Sequence, residues 1–214
     1  MHLVWLSQKG GVSKSTLAIA VAWEWHARGR RVLLVDADVN AVCVTAAQVA
    51  ERNGAPRPDV LRMPRALRHH LLKAAPRFDD VVVDTPAGMG PLQLEALTIA
   101  DVALIPVTPG LDVWALRETV EAVRRAEASN PRGLRGALVV SQRVPGTELG
   151  DKLRGVLEET GMPVFRSEVG FRQTWAKASL AGLGVAQFRP KSAAAAELRA
   201  LLLELERFAK AGRA

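Results

Sequence analysis

The sequence predicts an α/β fold in which a doubly wound, mostly parallel sheet is flanked by helices. Short runs rich in β-branched residues or leucine alternate along the chain with longer amphipathic stretches. The short runs are apolar throughout, as in strands that are buried on both faces of a parallel sheet. Strand and helix alternate from start to end, which favours right-handed crossover connections. We therefore interpret residues 1–214 as one domain.

The predicted elements follow from these runs and from the residues that end them. The strands are predicted at 2–7, 31–38, 80–85, 101–107, 136–142 and 162–167. The helices are predicted at 15–28, 45–53, 65–74, 91–99, 112–129, 147–160 and 191–210, and glycine or Asn-Pro closes most of them. The last helix carries leucines at three- and four-residue spacing, which predicts one apolar stripe packed on the core. Residues 55–59 are the one linker-like segment, too short to divide domains.

Composition limits the classes of protein that remain. Hydrophobic residues make up 49% of the chain and charged residues 24%, which excludes a disordered tail or a fibre. The one cysteine, Cys43, excludes an internal disulfide and favours a reducing cytoplasm. The apolar run at 3–6 is too short for a signal peptide, and no run reaches the roughly 20 residues of a membrane span. A net charge of +7 favours a phosphate-rich partner, with an arginine-rich composition bias as the alternative.

A phosphate-binding loop is predicted directly after the first strand, in QKGGVSKST at residues 8–16. A predicted helix follows the loop directly. The backbone N–H groups of the loop and the N-terminus of this helix can therefore converge on the same phosphate oxygens. Lys14 supplies a positive charge and the Ser15 hydroxyl a ligand for Mg²⁺. The nucleotide-binding residues of the loop are Gly10, Gly11, Val12, Ser13, Lys14, Ser15 and Thr16.

Carboxylates end two other predicted strands. Asp36 and Asp38 lie two residues apart, so both side chains start on one face of the sheet and can point toward the loop. Asp84 ends the buried run VVVD, where a carboxylate can hold Mg²⁺ through its water shell. Asp79 and Asp80, which precede that run, are interpreted as solvated turn charges. We predict a magnesium site formed by Ser15 and Asp84.

The loop resembles the deviant Walker A motif, KGGxGK[ST]T, of the ParA/MinD family of ATPases. The additional lysine, here Lys9, distinguishes this family, and the resemblance implies that it reaches the nucleotide of a second subunit. Ser13 stands where the family has glycine; if the position needs a positive φ, serine costs roughly 1 to 2 kcal/mol. DADVN at 36–40 resembles the family's DxDPQ, with Val39 and Asn40 as departures.

The resemblance implies a weak Mg²⁺-dependent ATPase with ATP as its nucleotide. Lys9, Lys14 and Asp38 are then the catalytic residues, and Asp38 positions the attacking water. Asp36 supports the Mg²⁺ site, and Thr85, Pro86 and Gly88 form a switch loop that senses the γ-phosphate. Gln142 comes directly after Ser141 at the end of the strand predicted at 136–142. Small ParA-like proteins often have an asparagine there that reads the adenine edge, so Gln142 is assigned to the nucleotide.

The resemblance also implies partners. ATP closes a homodimer that binds DNA without sequence preference, and a ParB-like or other cargo adaptor protein stimulates hydrolysis, so the protein is expected in the cytoplasm on the nucleoid. Two basic sets are candidates for the DNA face. The resemblance favours the late one, which comprises Arg166, Arg172, Lys177, Arg189 and Lys191. The early one comprises Arg52, Arg57, Arg62, Arg65, Arg68, Lys73 and Arg77.

Three alternatives stay open from the sequence. A MinD-like protein would bind lipid through its terminal helix, although Glu197, Glu204 and Glu206 oppose an anionic membrane. A metabolic enzyme on the same fold, such as an ATP-dependent ligase, would need a substrate pocket; a nitrogenase-reductase-like electron carrier would need two cluster cysteines per subunit. A nucleotide-binding scaffold that hydrolyses very little would fit the departures at Ser13 and in DADVN.

Overall fold

The computed structural model of the protein describes residues 1–110 and 113–212. Within these residues the centre is a six-stranded sheet, in the order β3-β2-β4-β1-β5-β6, and all neighbouring strands are parallel. The strands are β1 (His2–Trp5), β2 (Val32–Asp36), β3 (Asp59–Arg62), β4 (Asp80–Asp84), β5 (Val102–Val107) and β6 (Arg135–Val140). The predicted fold class is confirmed.

Helices cover both faces of this sheet. They are α1 (Lys14–Ala27), α2 (Val42–Arg52), α3 (Leu67–Ala74), α4 (Pro91–Ile99), α5 (Val113–Ser129), α6 (Glu148–Glu158), α7 (Gln173–Leu180), α8 (Val185–Phe188) and α9 (Ala193–Ala211). One apolar layer joins the sheet to α1, α2, α7, α8 and α9, and the other joins it to α3, α4, α5 and α6. The strands are therefore buried on both sides, as their continuous apolar runs predict.

The predicted strand at 162–167 is wrong. The segment makes a single parallel bridge, between Val164 and Leu138 of β6. Pro163 has no N–H to donate, and the N–H groups of Arg166 and Ser167 donate to the Glu204 carboxylate at 2.7 and 2.8 Å instead of to a strand. The sheet has six strands because β3, which was not predicted, is added at its edge. This strand is mostly exposed and starts at the end of the segment predicted as a linker.

Several helix boundaries differ from their predictions. Helix α2 begins at Val42, three residues before the predicted start, and α7 and α8 occupy a stretch for which no helix was predicted. Residue 112, the predicted first residue of α5, lies outside the described residues. The terminal helix packs as predicted, because Leu198, Leu201, Leu202 and Leu205 are fully buried. Searched over 1–110 and 113–212, the helices include none that combines the length and apolarity needed to cross a bilayer.

Asp79 and Asp80 differ in their surroundings, although they are adjacent. Asp79 is exposed and pairs with Arg31, whose guanidinium holds the pKa of the Asp79 carboxyl at about 2. Asp80 is fully buried, and Arg30 Nε lies 2.5 Å from its Oδ2. The prediction of a solvated charge is therefore correct for Asp79 and wrong for Asp80, because Asp80 is the first residue of β4 and pairs with a cation there.

Gly182 fixes the approach of α7 to α2, and substitution there tests this packing. Its φ is +69°, and a Cβ would lie 2.4 Å from the Ala50 backbone nitrogen. Its carbonyl also accepts from the Trp23 indole at 3.1 Å. We expect Gly182→Ala to lower the free energy of unfolding in urea by about 2 to 4 kcal/mol, from backbone strain and overpacking together.

Gly54→Ala is the matched control. Gly54 also has a positive φ, +62°, but a Cβ added there would meet no other part of the chain within 4 Å. The control should therefore lose only the roughly 1 to 2 kcal/mol of the left-handed backbone. Equal losses for the two variants would show that close packing at Gly182 contributes nothing.

Candidate functional site

Strand register brings three predicted site segments to one edge of the sheet. Trp5 of β1 and Asp36 of β2 both pair with Asp84 of β4, from opposite sides. The loop that follows β1 therefore begins next to two carboxylates. This edge is the carboxyl end of the parallel strands, where open α/β sheets bind their ligands.

The loop at 8–16 passes from β1 into α1, which begins at Lys14. Ser13 precedes the helix with φ +74°, in the left-handed region, and Gly11 has φ +76°. The condition stated for this position is therefore met: Ser13 has a positive φ, at a cost of roughly 1 to 2 kcal/mol relative to glycine. Its backbone carbonyl accepts from Leu17 at 2.9 Å, so the helix ladder begins directly at the loop.

The two lysines of the loop have different environments. Lys14 is buried, and its Nζ lies 3.4 Å from the Lys9 carbonyl oxygen. Burial lowers the pKa of Lys14, and the nearby carboxylates of Asp84 and Asp38 raise it again. The Lys9 side chain is exposed, and no ion pair in the described part of the chain involves it. Lys14 is thus fixed within the subunit, whereas Lys9 is accessible from outside it.

Asp84 is the most strongly perturbed acid of the site. It is fully buried, and its Oδ2 accepts from the Cys43 thiol at 3.4 Å. Burial, together with the nearby charge of Asp36, raises the pKa of Asp84 to about 7. Hydrogen bonding from Ser15 and Cys43 and the charge of Lys14 act in the opposite direction. Its Oδ1 is buried with no hydrogen-bond partner among the described residues. A buried carboxylate oxygen without a partner is unfavourable in a ligand-free protein.

These residues fit a magnesium ion that is shared with a nucleotide. The orphaned Asp84 Oδ1 can accept from a metal-bound water, and Ser15 offers a hydroxyl at the start of α1. In residues 1–110 and 113–212, no group of three or more His, Cys, Asp or Glu is placed to hold a metal alone. Mg²⁺ needs few protein ligands when phosphate oxygens and waters complete its shell, so this sparse donor set suits it.

Asp36 holds the loop that carries Asp38. Its Oδ1 accepts from the Asp38 N–H at 3.2 Å, and its Oδ2 accepts from the Val44 N–H in the first turn of α2 at 3.0 Å. Burial raises the pKa of Asp36, and these backbone donors lower it again. Asp38 is half-buried, and its Oδ1 accepts from the Asn40 N–H at 2.9 Å. Asp36 is thus primarily a positioning carboxylate; its predicted contribution to the magnesium site stays a prediction.

The predicted switch loop closes over the start of the phosphate loop. The Thr85 hydroxyl donates to the Trp5 carbonyl at 2.7 Å, and the Gly88 N–H donates to the Ser7 carbonyl at 3.0 Å. Gly88 has φ +104°, a conformation that favours glycine. Hydrogen bonds therefore link residues 85–88 to the end of β1 and to Ser7, which follows it. That this loop senses the γ-phosphate stays a prediction.

A cavity of about 210 Å³ lies on the other side of the loop, between α1, β6 and α7. Gln142 lines it, together with Ser13 and Thr16 of the loop. The lining residues that sequence reasoning did not place here include Phe171, Trp175 and Arg172, the last of which was assigned to DNA. The sequence signal for them is the stretch at 171–185, which resembles the end of small ParA-like proteins and has Trp175 where those proteins often have tyrosine. Cys43, which contacts Asp84, was also missed, and no signal in the sequence indicates it.

The late basic residues are all exposed: Arg166, Arg172, Lys177, Arg189 and Lys191. Arg172 pairs with Glu197, with Nη2 2.7 Å from Oε1, and it borders the cavity. Within the described residues no ion pair involves Lys177, Arg189 or Lys191. In the early set, Arg57 pairs with Glu51, and Arg62 donates to the Val39 carbonyl.

A phosphate loop between the first strand and helix of a parallel sheet, with buried acids beside it, defines a P-loop nucleotide-binding protein. The model of the CobQ/CobB/MinD/ParA nucleotide binding domain matches residues 3–185. The chain belongs to this family.

The relatives that resemble the chain by sequence include two proteins named maintenance of carboxysome distribution protein A. The protein from Halothiobacillus neapolitanus is 31% identical over 192 residues, which cover 88% of each chain. The protein from Gloeobacter kilaueensis is 34% identical over 211 residues, which cover 94% of this chain and 92% of the relative.

Solved structures show the same fold. The structure of apo McdA from Cyanothece has a TM-score of 0.78 at 15% identity and covers 95% of this chain and 98% of that one. The septum site-determining protein MinD from Pyrococcus horikoshii, complexed with Mg-ADP, has a TM-score of 0.73 at 17% identity, with coverage of 99% and 98%.

Asp84→Asn should make the nucleotide-free protein more stable at pH 8, because the folded protein holds the Asp84 pKa at about 7 while an unfolded aspartate titrates near about 3.9. The stability that the neutral carboxyl provides is complete below pH ~4 and is lost as the pH rises through about 7. The free energy of unfolding that Asp84→Asn gains over the natural protein should therefore grow from pH ~4 to pH ~7, to at most about 4 kcal/mol. Urea unfolding in EDTA at several pH values measures it.

Asp79→Asn is the control with the opposite sign. The pKa of Asp79 is lowered to about 2 by Arg31, so its charged form stabilises the fold above pH ~4 and this stability is lost as the pH falls. The variant should be slightly less stable than the natural protein at pH 8. An Asp84→Asn protein that is no more stable at pH 8 would contradict the placement of Asp84 as a buried acid with one oxygen that lacks a partner.

Proposed function

We propose that the protein is a Mg²⁺-dependent ATPase of the ParA type that positions a cargo inside the cell. The observation that carries the proposal is the convergence of Lys14, Ser15 and Asp84, with one Asp84 oxygen buried and without a partner among the described residues. Such an arrangement supplies charge and a metal-binding oxygen where phosphates bind, which is what phosphoryl transfer to water requires. Family membership supports the nucleotide, and the Mg-ADP bound to the similar MinD supports the cofactor.

The roles of the residues follow from their positions. The loop amides and Lys14 bind the phosphates, and Ser15 and Asp84 hold the metal, which neutralises charge on the transferred group when it is bound. Asp38 orients the attacking water, on a loop that Asp36 fixes. Residues 85–88 respond to the γ-phosphate.

Lys9 supports ATP-dependent dimerisation. Its side chain is exposed and forms no ion pair within the described residues, although the loop that carries it follows the buried strand β1. A second subunit that approaches this edge would place its own nucleotide within reach of Lys9. The ATP state is therefore a homodimer, and an adaptor protein on the cargo stimulates hydrolysis.

The cargo is a large assembly of the carboxysome kind. Two relatives of 31% and 34% identity are named for carboxysome distribution. A relative named for chromosome partitioning, Soj from Thermus thermophilus, has a lower identity of 30%. We therefore favour a protein assembly over the plasmid or chromosome that the resemblance to ParA proteins first implied.

The track for this movement is DNA, which the dimer binds without sequence preference. The exposed Arg166, Lys177, Arg189 and Lys191 are the residues that we assign to it, while Arg172 contributes less because Glu197 neutralises its charge. A lipid track is disfavoured, because the leucines of the α9 stripe are buried against the sheet. Bound to DNA in this way, the protein resides on the nucleoid.

ATP should convert the protein to a dimer, and Lys9→Ala should abolish this conversion while leaving a folded monomer. Asp38→Ala should bind ATP and accumulate as the dimer, because removal of the water-orienting carboxylate slows hydrolysis by about 100-fold or more. Light scattering after size exclusion, with ATP or ADP, and phosphate release measure both effects. A natural protein that stays monomeric with Mg-ATP, or an Asp38→Ala protein with full activity, would contradict the proposal.

The DNA face can be located by charge removal in matched pairs. Lys177→Gln with Arg189→Gln should weaken binding of any duplex and reduce the slope of log affinity against log salt by about two units. The control pair, Arg68→Gln with Lys73→Gln, removes the same charge from the early basic set. If the control pair reduces the slope and the first pair does not, the DNA face lies on α3.

A further inference from the structure

Gln142 is tied to the phosphate loop through its side-chain amide. Its Nε2 donates to the Gly11 carbonyl oxygen at 2.5 Å and to Ser13 Oγ at 2.9 Å. A backbone carbonyl can only accept, so the NH₂ end of the amide must face Gly11. This contact fixes which end of the amide points away from the loop, and that end is the oxygen.

Ser13 and Gln142 share a second feature, because both have positive φ values, +74° and +55°. A residue with a side chain adopts this region less readily than glycine does. Strained backbone of this kind persists where neighbouring contacts hold it, and it clusters at functional sites. The hydrogen bond between the two side chains gives serine a role at position 13 that glycine cannot have.

The cavity between these residues and α7 has the features of a nucleobase pocket. It begins directly beside the phosphate loop, at Ser13 and Thr16. Phe171, which is 70% exposed, forms an aromatic wall on which a planar base can stack. Trp175 also lines the cavity, and its Nε1 is buried with no partner among the described residues. A base and its sugar would offer acceptors to this N–H group.

We propose that Ser13 is a positioning residue: its hydroxyl holds the Gln142 amide so that the Gln142 carbonyl oxygen accepts the exocyclic amino group of adenine. No hydrogen bond within the described residues uses this Gln142 Oε1. Guanine carries a carbonyl oxygen where adenine carries the amino group, so two acceptors would face each other. The Ser13–Gln142 pair therefore selects ATP over GTP, and the inference rests on the proposed function.

The test compares the affinities for Mg-ATP and Mg-GTP, measured by calorimetry on the full chain. Ser13→Ala keeps a Cβ at the strained position and removes the hydroxyl alone, so we expect the ATP-to-GTP affinity ratio to fall about 3- to 10-fold, the value of one hydrogen bond. Gln142→Leu should lower the same ratio by about tenfold or more. The double variant should fall no further than Gln142→Leu, because both changes remove one interaction.

Ser13→Gly separates positioning from strain. We expect Ser13→Gly to lower the ATP-to-GTP affinity ratio as Ser13→Ala does. If the hydroxyl has no positioning role and serine acts only through backbone strain, Ser13→Gly binds both nucleotides more tightly and this ratio does not change. Thermal unfolding of each variant checks that it is folded.

The outcomes distinguish this inference from the proposed function. An unchanged ratio in Ser13→Ala, or additive effects in the double variant, overturns the positioning role while ATP binding stands. If the natural protein binds neither nucleotide, the proposed function fails and this inference fails with it.

Discussion

The site depends on the parallel pairing of β4 with both β1 and β2. Asp84 lies between Trp5 and Asp36 in this register, so the phosphate loop, the Asp38 loop and the buried carboxylate start from adjacent points. A shift of β4 by one residue would turn Asp84 to the opposite face of the sheet. Val81, Val82 and Val83 of β4 are fully buried in the two apolar layers, and their close packing there holds the strand in this register.

The same burial makes the site costly for the fold. Asp84, Asp36 and Lys14 are buried, and burial shifts the pKa of each in the direction that favours its neutral form. Asp84 Oδ1 also has no hydrogen-bond partner among the described residues. The left-handed backbone at Ser13 adds to this cost. Phosphate and Mg²⁺ would supply the missing partners, so ligand binding relieves unfavourable features that the sheet imposes.

The sequence alone was sufficient for the fold class and for placing the loop at 8–16 beside Asp36 and Asp84 at one edge of the sheet. These features follow from continuous apolar runs that end in polar residues. It was not sufficient for β3, whose exposed edge position requires few apolar residues. The strand that the sequence predicts at 162–167 is absent because two of its N–H groups donate to the Glu204 carboxylate. Glu204 lies 38 residues beyond Arg166 along the chain, so a local pattern cannot indicate this contact. The cavity beside Gln142 is equally non-local, since Phe171 and Trp175 come from a part of the chain far from the phosphate loop.

Calorimetric titration with a non-hydrolysable ATP analogue, with and without Mg²⁺, tests most directly whether this edge of the sheet is a nucleotide site. We predict saturable binding that is strengthened by Mg²⁺ in the natural protein, and a loss of affinity of about tenfold or more in Lys14→Met, which approximates the length of the side chain without its charge. Binding that is independent of Mg²⁺ and equal in the two proteins would contradict this assignment.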